Sequence, residues 1–179
     1  MKFSAILLVS CFWICLITAS ILFLSSKKVK HFDPNGLLAL NASGKNFDKE
    51  FKTIFTNRSF TFKSAVVHFF SDNCFCRTVA QSHINSVAAL ASEQGYEQFS
   101  FDVDDLSDIN EYIPSIPSVA VFDTNENLVY LGPYSSGIFC TEGNGLVEPF
   151  IKKDLAIRSL HGAIIMSEAK GCYCETNEA

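Results

Sequence analysis

The stretch Ala65-Val-Val-His-Phe-Phe-Ser-Asp-Asn-Cys-Phe-Cys-Arg77 limits what this chain can fold into more than any other. Its first six residues are apolar apart from His68, the pattern of a strand buried on both faces, as a central parallel strand is. A polar turn follows, then Cys74 and Cys76 with one residue between them. From Cys76 to about Ser92, Ala80, Ile84, Val87 and Ala91 recur on one helical face, and Gly95 supplies the stop. A strand that delivers a cysteine pair to the first turn of a helix is a redox or metal-binding arrangement. The unpaired backbone N–H groups at a helix start favour the thiolate, which is both nucleophile and metal ligand.

The other elements are read around this unit. Phe47, Phe51, Ile54 and Phe55 recur at helical spacing, with Asp48 and Glu50 in the first turn, and predict a short amphipathic helix. Gln98–Val103 alternates as a second strand, and Asp104–Ile113 predicts a short helix that Pro114-Ser-Ile-Pro117 breaks. Ser118–Phe122 and Leu128–Leu131, joined by the turn Asp123–Asn127, predict an antiparallel hairpin. Leu146, Val147, Phe150, Ile151 and Leu155 indicate a closing helix. The segment His161–Ser167 fits strand or helix and leads to Gly171-Cys-Tyr-Cys174, a second C-x-C. With 17 phenylalanines among 179 residues, one domain of ordinary size can fill its core.

From Ser4 to Ser26 no residue is charged, and about 20 apolar residues suffice to cross a bilayer as a helix. A cleaved signal peptide has a shorter apolar region, of about 7–15 residues, ending in a small-x-small site that this run lacks. The expected organisation is therefore a transmembrane anchor at 1–26, a juxtamembrane linker at 27–46 containing Pro34, Gly36 and Gly44, and a domain at 47–179 that includes a Cys-containing C-terminal extension. Residues 31–179 carry 10 basic against 19 acidic side chains, a formal charge of −9, which argues against nucleic acid as a partner. The sequons Asn41-Ala-Ser43 and Asn57-Arg-Ser59 matter only in a eukaryotic secretory setting.

The order strand, C-x-C, helix, strand, helix, Ile-Pro, strand, turn, strand, helix resembles the thioredoxin superfamily over residues 60–160. Two segments carry the resemblance. Val67–Arg77 looks like the family's strand-to-helix segment, with paired aromatics, an acidic residue, the cysteines and a basic residue. Ile116-Pro117-Ser118, opening a strand, looks like the family's cis-proline loop. The resemblance implies a thioredoxin-like α/β three-layer sandwich, a mixed central sheet flanked by helices. It also implies a thiol–disulfide oxidoreductase that acts on protein thiols or disulfides and needs no cofactor. It is closest to membrane-anchored, extracytoplasmic bacterial members, which implies a single-pass protein of the inner (plasma) membrane with its domain on the periplasmic side. Lys27, Lys28 and Lys30, counted plainly, pull towards the cytoplasm instead. The sequence departs from the family in two ways: its dithiol is C-x-C in place of C-x-x-C, and it adds Cys140, Cys172 and Cys174.

Cys74, just ahead of the helical pattern, is the candidate nucleophile, with Cys76 to resolve it and Arg77 to favour the anion. A disulfide between two cysteines so close closes a tight ring, and such a bond is comparatively oxidising. If geometry forbids it, Cys74 and Cys76 pair elsewhere or bind metal. His68 lies where the family carries a buried carboxylate that assists proton transfer to the resolving cysteine. A neutral imidazole suits that role as well as it suits a hydrogen-bonded core position. The resemblance also implies that Pro117 is cis and lies against the dithiol. His83 reads as packing or surface. Cys11 and Cys15 fall within the apolar span, which leaves five cysteines in the body, an odd number that cannot form a wholly paired framework. Cys140, Cys172 and Cys174 therefore admit three roles. They relay electrons to the first pair, complete a thiolate site for copper or zinc with Cys74 and Cys76, or staple the tail as non-enzymatic structural disulfides.

Overall fold

Residues 65–69 are buried without interruption, and the strand they form, β2 (Ala65–Phe70), lies at the heart of a five-stranded mixed sheet. The computed structural model describes residues 2–26, 29–55, 60–106, 109–137, 145–152 and 162–176, with the side chains of the first helix described from 6 to 21. β2 runs parallel to β3 (Glu97–Asp102) on one side and antiparallel to β5 (Ser118–Phe122) on the other. β6 (Leu128–Pro133) pairs antiparallel with β5, and β7 (Ile164–Ile165) parallel with β6, giving the order β3-β2-β5-β6-β7. The class is mixed α/β, as the sequence predicts. The ambiguous segment ahead of the second C-x-C contributes a strand. Its His161, like Leu155, lies outside the described residues.

The pleat of the sheet separates two cores, because successive side chains point to opposite faces. Ala65, Val67 and Phe69 join Ala120 and Phe122 on one face, where α2 (Leu37–Ala42) and α3 (Phe47–Thr53) cover them. Val66, Val119 and Val121 face the other way, towards α4 (Phe75–Glu93) and α5 (Glu148–Ile151). The first core is an aromatic lattice. Phe51 stands 6.2 Å from Phe69 and 6.3 Å from Phe122, and Phe55 stands 5.3 Å from Phe101.

α4 ends as its glycine predicts. Gly95 adopts φ +76°, its N–H donates to the Ser92 carbonyl, and the Tyr96 N–H reaches back to the Ala91 carbonyl at 2.9 Å. A Cβ in that left-handed conformation would be strained, so this wrap-around cap selects glycine. The buried face of α4 is Cys76, Ala80, His83, Val87 and Ala91, with Ile84 only partly covered. His83 belongs to that face because its Nε2 lies 2.7 Å from Glu148 Oε1, a partner supplied by α5. Burial pushes the Glu148 carboxyl up, but hydrogen bonds from His83 and from the Glu148 and Val147 backbone, with the His83 charge, outweigh it and hold the carboxyl below its ordinary range.

Among the described residues, two predicted helices are shorter than the sequence pattern. Between β3 and Pro114 the chain forms two 3-10 turns, Val103–Asp105 and Ile109–Glu111. Asp102 accepts from the Asp104 N–H at 3.0 Å, the local competition by which aspartates favour turns over helix interiors. The closing helix is the single turn α5, with Pro149 in its first turn.

α1 (Lys2–Ser26) carries the uncharged run, and every described side chain in it, from Ile6 to Ile21, is exposed. Among the described residues no helix is long and apolar enough to cross a membrane.

The aromatic lattice generates a direct expectation. Phe51→Ala, at a fully buried centre, lowers unfolding free energy by about 3–5 kcal/mol. Leu40→Ala, at a position 68% exposed, changes it by less than about 0.5 kcal/mol. Urea denaturation of the full chain in detergent micelles measures both.

Candidate redox site

The site is assembled where β2 ends. Its register with β5 sets Phe69 opposite Ser118, so the loop leaving β2 abuts the chain just after Pro117. That loop turns tightly. The Cys74 N–H donates to the Ser71 carbonyl, and Ser71 Oγ accepts from the Asn73 N–H and donates to Asp104 Oδ2 at 3.0 Å. Cys74 is the residue that precedes the helix, extended at φ −89° and ψ 110°, and its carbonyl accepts the first helical N–H, from Arg77. Cys76 follows within the first turn. Arg77 pairs with Asp72 and lies over the Phe70 ring, its guanidinium carbon 4.0 Å from the centroid.

The two C-x-C pairs meet crosswise. Cys74 is bonded to Cys174 and Cys76 to Cys172, with Cα–Cα separations of 5.8 Å and 5.4 Å. No bond joins Cys74 to Cys76. Cys172 lies at a bend and Cys174 opens the short strand that follows, and both sulfurs reach the start of α4. Cys74, Cys76 and Cys172 are buried, and Cys174 is partly exposed. The sulfurs of Cys74, Cys76 and Cys174 all lie within 4.8 Å of one another. Cys140 lies outside the described residues.

The tail reaches this position along short edges. β8 (Lys170–Gly171) pairs with β1 (Lys30–His31), Tyr173 packs edge-on against Phe32 at 5.4 Å, and the Tyr173 hydroxyl donates to the Ser135 carbonyl at 2.7 Å. β9 (Cys174–Glu175) pairs antiparallel with β4 (Ser115–Ile116), setting Cys174 opposite Ile116. The peptide bond from Ile116 to Pro117 is cis, and Cys74 Sγ lies 3.7 Å from the Ile116 carbonyl oxygen. Pro117, Cys74, Cys76, Cys172 and Cys174 therefore belong to one site.

His68 does not join them. It sits on the face of β2 opposite Val67 and Phe69, with Nδ1 2.5 Å from the Tyr134 hydroxyl and Nε2 3.2 Å from Gln98 Oε1. It helps line a separate cleft with Phe70, Arg77, Gln81, Gln98 and Tyr134. The tail contacts, Tyr173 and Thr176 above all, were not evident from sequence. The repeated C-x-C spacing was their one available signal.

Burial lowers the His68 pKa below its ordinary value near 6.5, against the hydrogen bond with Gln98, which raises it. The unfolded chain then binds this proton more readily than the folded one. The stabilisation is fully present above the unfolded value and is lost as pH falls towards the folded one. The urea midpoint is expected to decline from roughly pH 7 to pH 5, and His68→Gln is expected to flatten that decline.

No curated protein and no solved structure matches the chain. A family model does match, over residues 44–176, which takes in the whole sheet, α3, α4 and both C-x-C pairs. By that match the chain belongs to the family described as Domain of unknown function (DUF6436).

Proposed function

We propose that the protein is a membrane-anchored, thioredoxin-like thiol–disulfide oxidoreductase acting on protein thiols or disulfides, with Cys74 as the attacking sulfur. The observation that carries this reading is the proximity of the Cys74, Cys76 and Cys174 sulfurs, all within 4.8 Å at the start of α4. Two disulfides so placed are in reach of exchange. Reduction of Cys74–Cys174 leaves a Cys174 thiolate beside Cys76. Attack there forms Cys76–Cys174 and expels Cys172 as thiolate, with no net transfer of electrons. Cys74 immediately precedes α4, and the positive end of a helix favours a thiolate at that position. The helix, the cysteine at its start and the cis-Pro117 beside it support the thioredoxin-like reading.

The crosswise bonding also lets the site open without unfolding the chain. Cys76–Cys172 is nested inside the loop that Cys74–Cys174 closes. Closing a loop of about 100 residues is worth about 4–5 kcal/mol in the chain-entropy account, and a second bond two residues inside it adds little. Either bond alone keeps the tail on the domain.

The membrane anchor rests on the uncharged run from Ser4 to Ser26 and on the exposure of every described side chain in it. The extracytoplasmic placement rests on the two disulfides, which persist in oxidising compartments. A second reading draws on the same sulfur cluster. When all four cysteines are reduced, Cys74, Cys76, Cys172 and Cys174 can bind copper or zinc, since thiolates on one zinc ion stand roughly 3.8 Å apart.

One set of measurements separates these readings. The full chain, reduced in detergent micelles, is expected to reduce insulin disulfides, and Cys74→Ser is expected to bring the rate to background. Insulin reduction that survives Cys74→Ser, or is missing in the folded reduced protein, contradicts the oxidoreductase. Stoichiometric zinc that is retained by the reduced protein and abolishes exchange favours the metal site.

A further inference from the structure

β4 has one strand partner among the described residues, and that partner is the chain's own tail. β9 lies along β4 with Cys174 opposite Ile116, its sulfur bonded to Cys74. Beyond it, the Thr176 N–H donates to the Pro114 carbonyl at 3.1 Å and the Thr176 hydroxyl to the Ile113 carbonyl at 2.9 Å. Residues 174–176 therefore occupy an edge that would accept any extended polypeptide, at the one place where such a chain sets a sulfur against Cys74.

The attachment of this arm is uneven. Its base is fixed, with Tyr173 buried against Phe32 and Cys172 buried in its bond to Cys76. Its outer part is held by a two-residue ladder, the Thr176 contacts and a Lys30–Glu175 ion pair at 3.0 Å between partly exposed side chains. Exposed ion pairs and short edge ladders lie at the low end of local stability. Once Cys74–Cys174 is reduced, residues 174–176 can leave β4 while Cys76–Cys172 and Tyr173 keep the base in place.

From this we infer that Cys174, carried on the tail, resolves the mixed disulfide at Cys74, and that the substrate is a disulfide-bonded polypeptide whose extended segment takes the place of β9 along β4. The inference rests on thiol–disulfide exchange at Cys74. In the first step the Cys74 thiolate attacks one sulfur of the substrate disulfide, forming substrate–S–S–Cys74 and expelling the other substrate sulfur as thiolate. In the second step the Cys174 thiolate attacks Cys74, forming the Cys74–Cys174 bond and expelling the remaining substrate sulfur. The substrate disulfide gains two electrons and the Cys74/Cys174 dithiol loses two, with no further reactant. Substrate and β9 compete for one edge, so return of the arm both displaces the product and supplies the resolving thiol. Its tether keeps Cys174 at high effective concentration throughout.

The test uses the full chain in detergent micelles, with mixed disulfides mapped to Cys74 by mass spectrometry. The probe is an unstructured peptide whose single cysteine is activated as a thionitrobenzoate disulfide. Fully reduced Cys174→Ser is expected to accumulate the peptide on Cys74, whereas fully reduced Cys76→Ser is expected to release it and form Cys74–Cys174. The reverse pattern makes Cys76 the resolving residue and overturns the inference.

For the edge itself, Cys174→Ser with Cys76–Cys172 intact is expected to react at least about tenfold faster with this peptide than with a copy N-methylated on both sides of its cysteine, which cannot pair along a strand. Equal rates overturn the edge as the docking place and leave exchange at Cys74 standing. No reaction of Cys74 with either peptide, or with free dithiobis-nitrobenzoate, in protein of native circular dichroism defeats the oxidoreductase reading itself. Hydrogen exchange on the unmutated chain gives an independent check. Reduction is expected to speed exchange at the Thr176 amide at least about tenfold while β5 amides are unchanged, and equal protection of Thr176 in both states overturns the inference.

Discussion

Two disulfides bonded crosswise between the start of α4 and the C-terminal arm are the constraint on which the rest of the site depends. They join the part of the chain that issues from the central strand to a tail almost a hundred residues later, and they bring β9 against β4. Remove both, and among the described residues the tail keeps two-residue ladders, the Tyr173 anchor, the Lys30–Glu175 ion pair and a few hydrogen bonds. The main core does not need them in the same way. Its aromatic lattice and the sheet around β2 come mostly from residues ahead of the tail, which adds Ala169, Cys172 and Tyr173 to the same core. The molecule thus divides into a scaffold that aims Cys74 and an arm whose hold on it is governed by sulfur chemistry.

That division explains why nested disulfides are useful here. Two bonds that tie the same two segments are nearly redundant as staples, since the entropy of the unfolded chain is reduced mostly by whichever forms first. Redundancy leaves one bond free to break while the other maintains the fold. It also places a thiolate released from one bond next to the sulfurs of the other. Opening a lone Cys74–Cys174 bond would leave the tail held by noncovalent contacts alone.

How far the sequence revealed this can be traced residue by residue. The strand ending in the cysteines, the helix that follows and the hairpin through Asp123–Asn127 were legible from local signals, namely apolar continuity, helical spacing and a turn-forming run, whereas the cis bond before Pro117 followed from the resemblance and not from the dipeptide itself. The crosswise partnership was not legible. The sequence left a bond between Cys74 and Cys76 open, and only the antiparallel approach of β9 to β4, a contact between segments far apart in sequence, sets Cys174 against Cys74 instead. His83 was read as packing or surface; its burial depends on Glu148, 65 positions away on α5. His68 was read either as a proton relay near the dithiol or as a hydrogen-bonded core histidine, and the alternation of β2, which turns it towards Tyr134 and Gln98, gives the second. In each case the deciding partner is distant in sequence, where periodicity carries no information.

The central claim is that the Cys74–Cys174 bond opens and closes as part of the protein's work. Equilibration of the full chain with graded thiol–disulfide buffers, followed by quantification of alkylated Cys74 and Cys174, measures this most directly. The account predicts a bond that is reduced reversibly at potentials above about −300 mV while the sheet stays folded. A bond that stays closed below about −300 mV, as structural disulfides do, or that opens only when the domain unfolds, would contradict it.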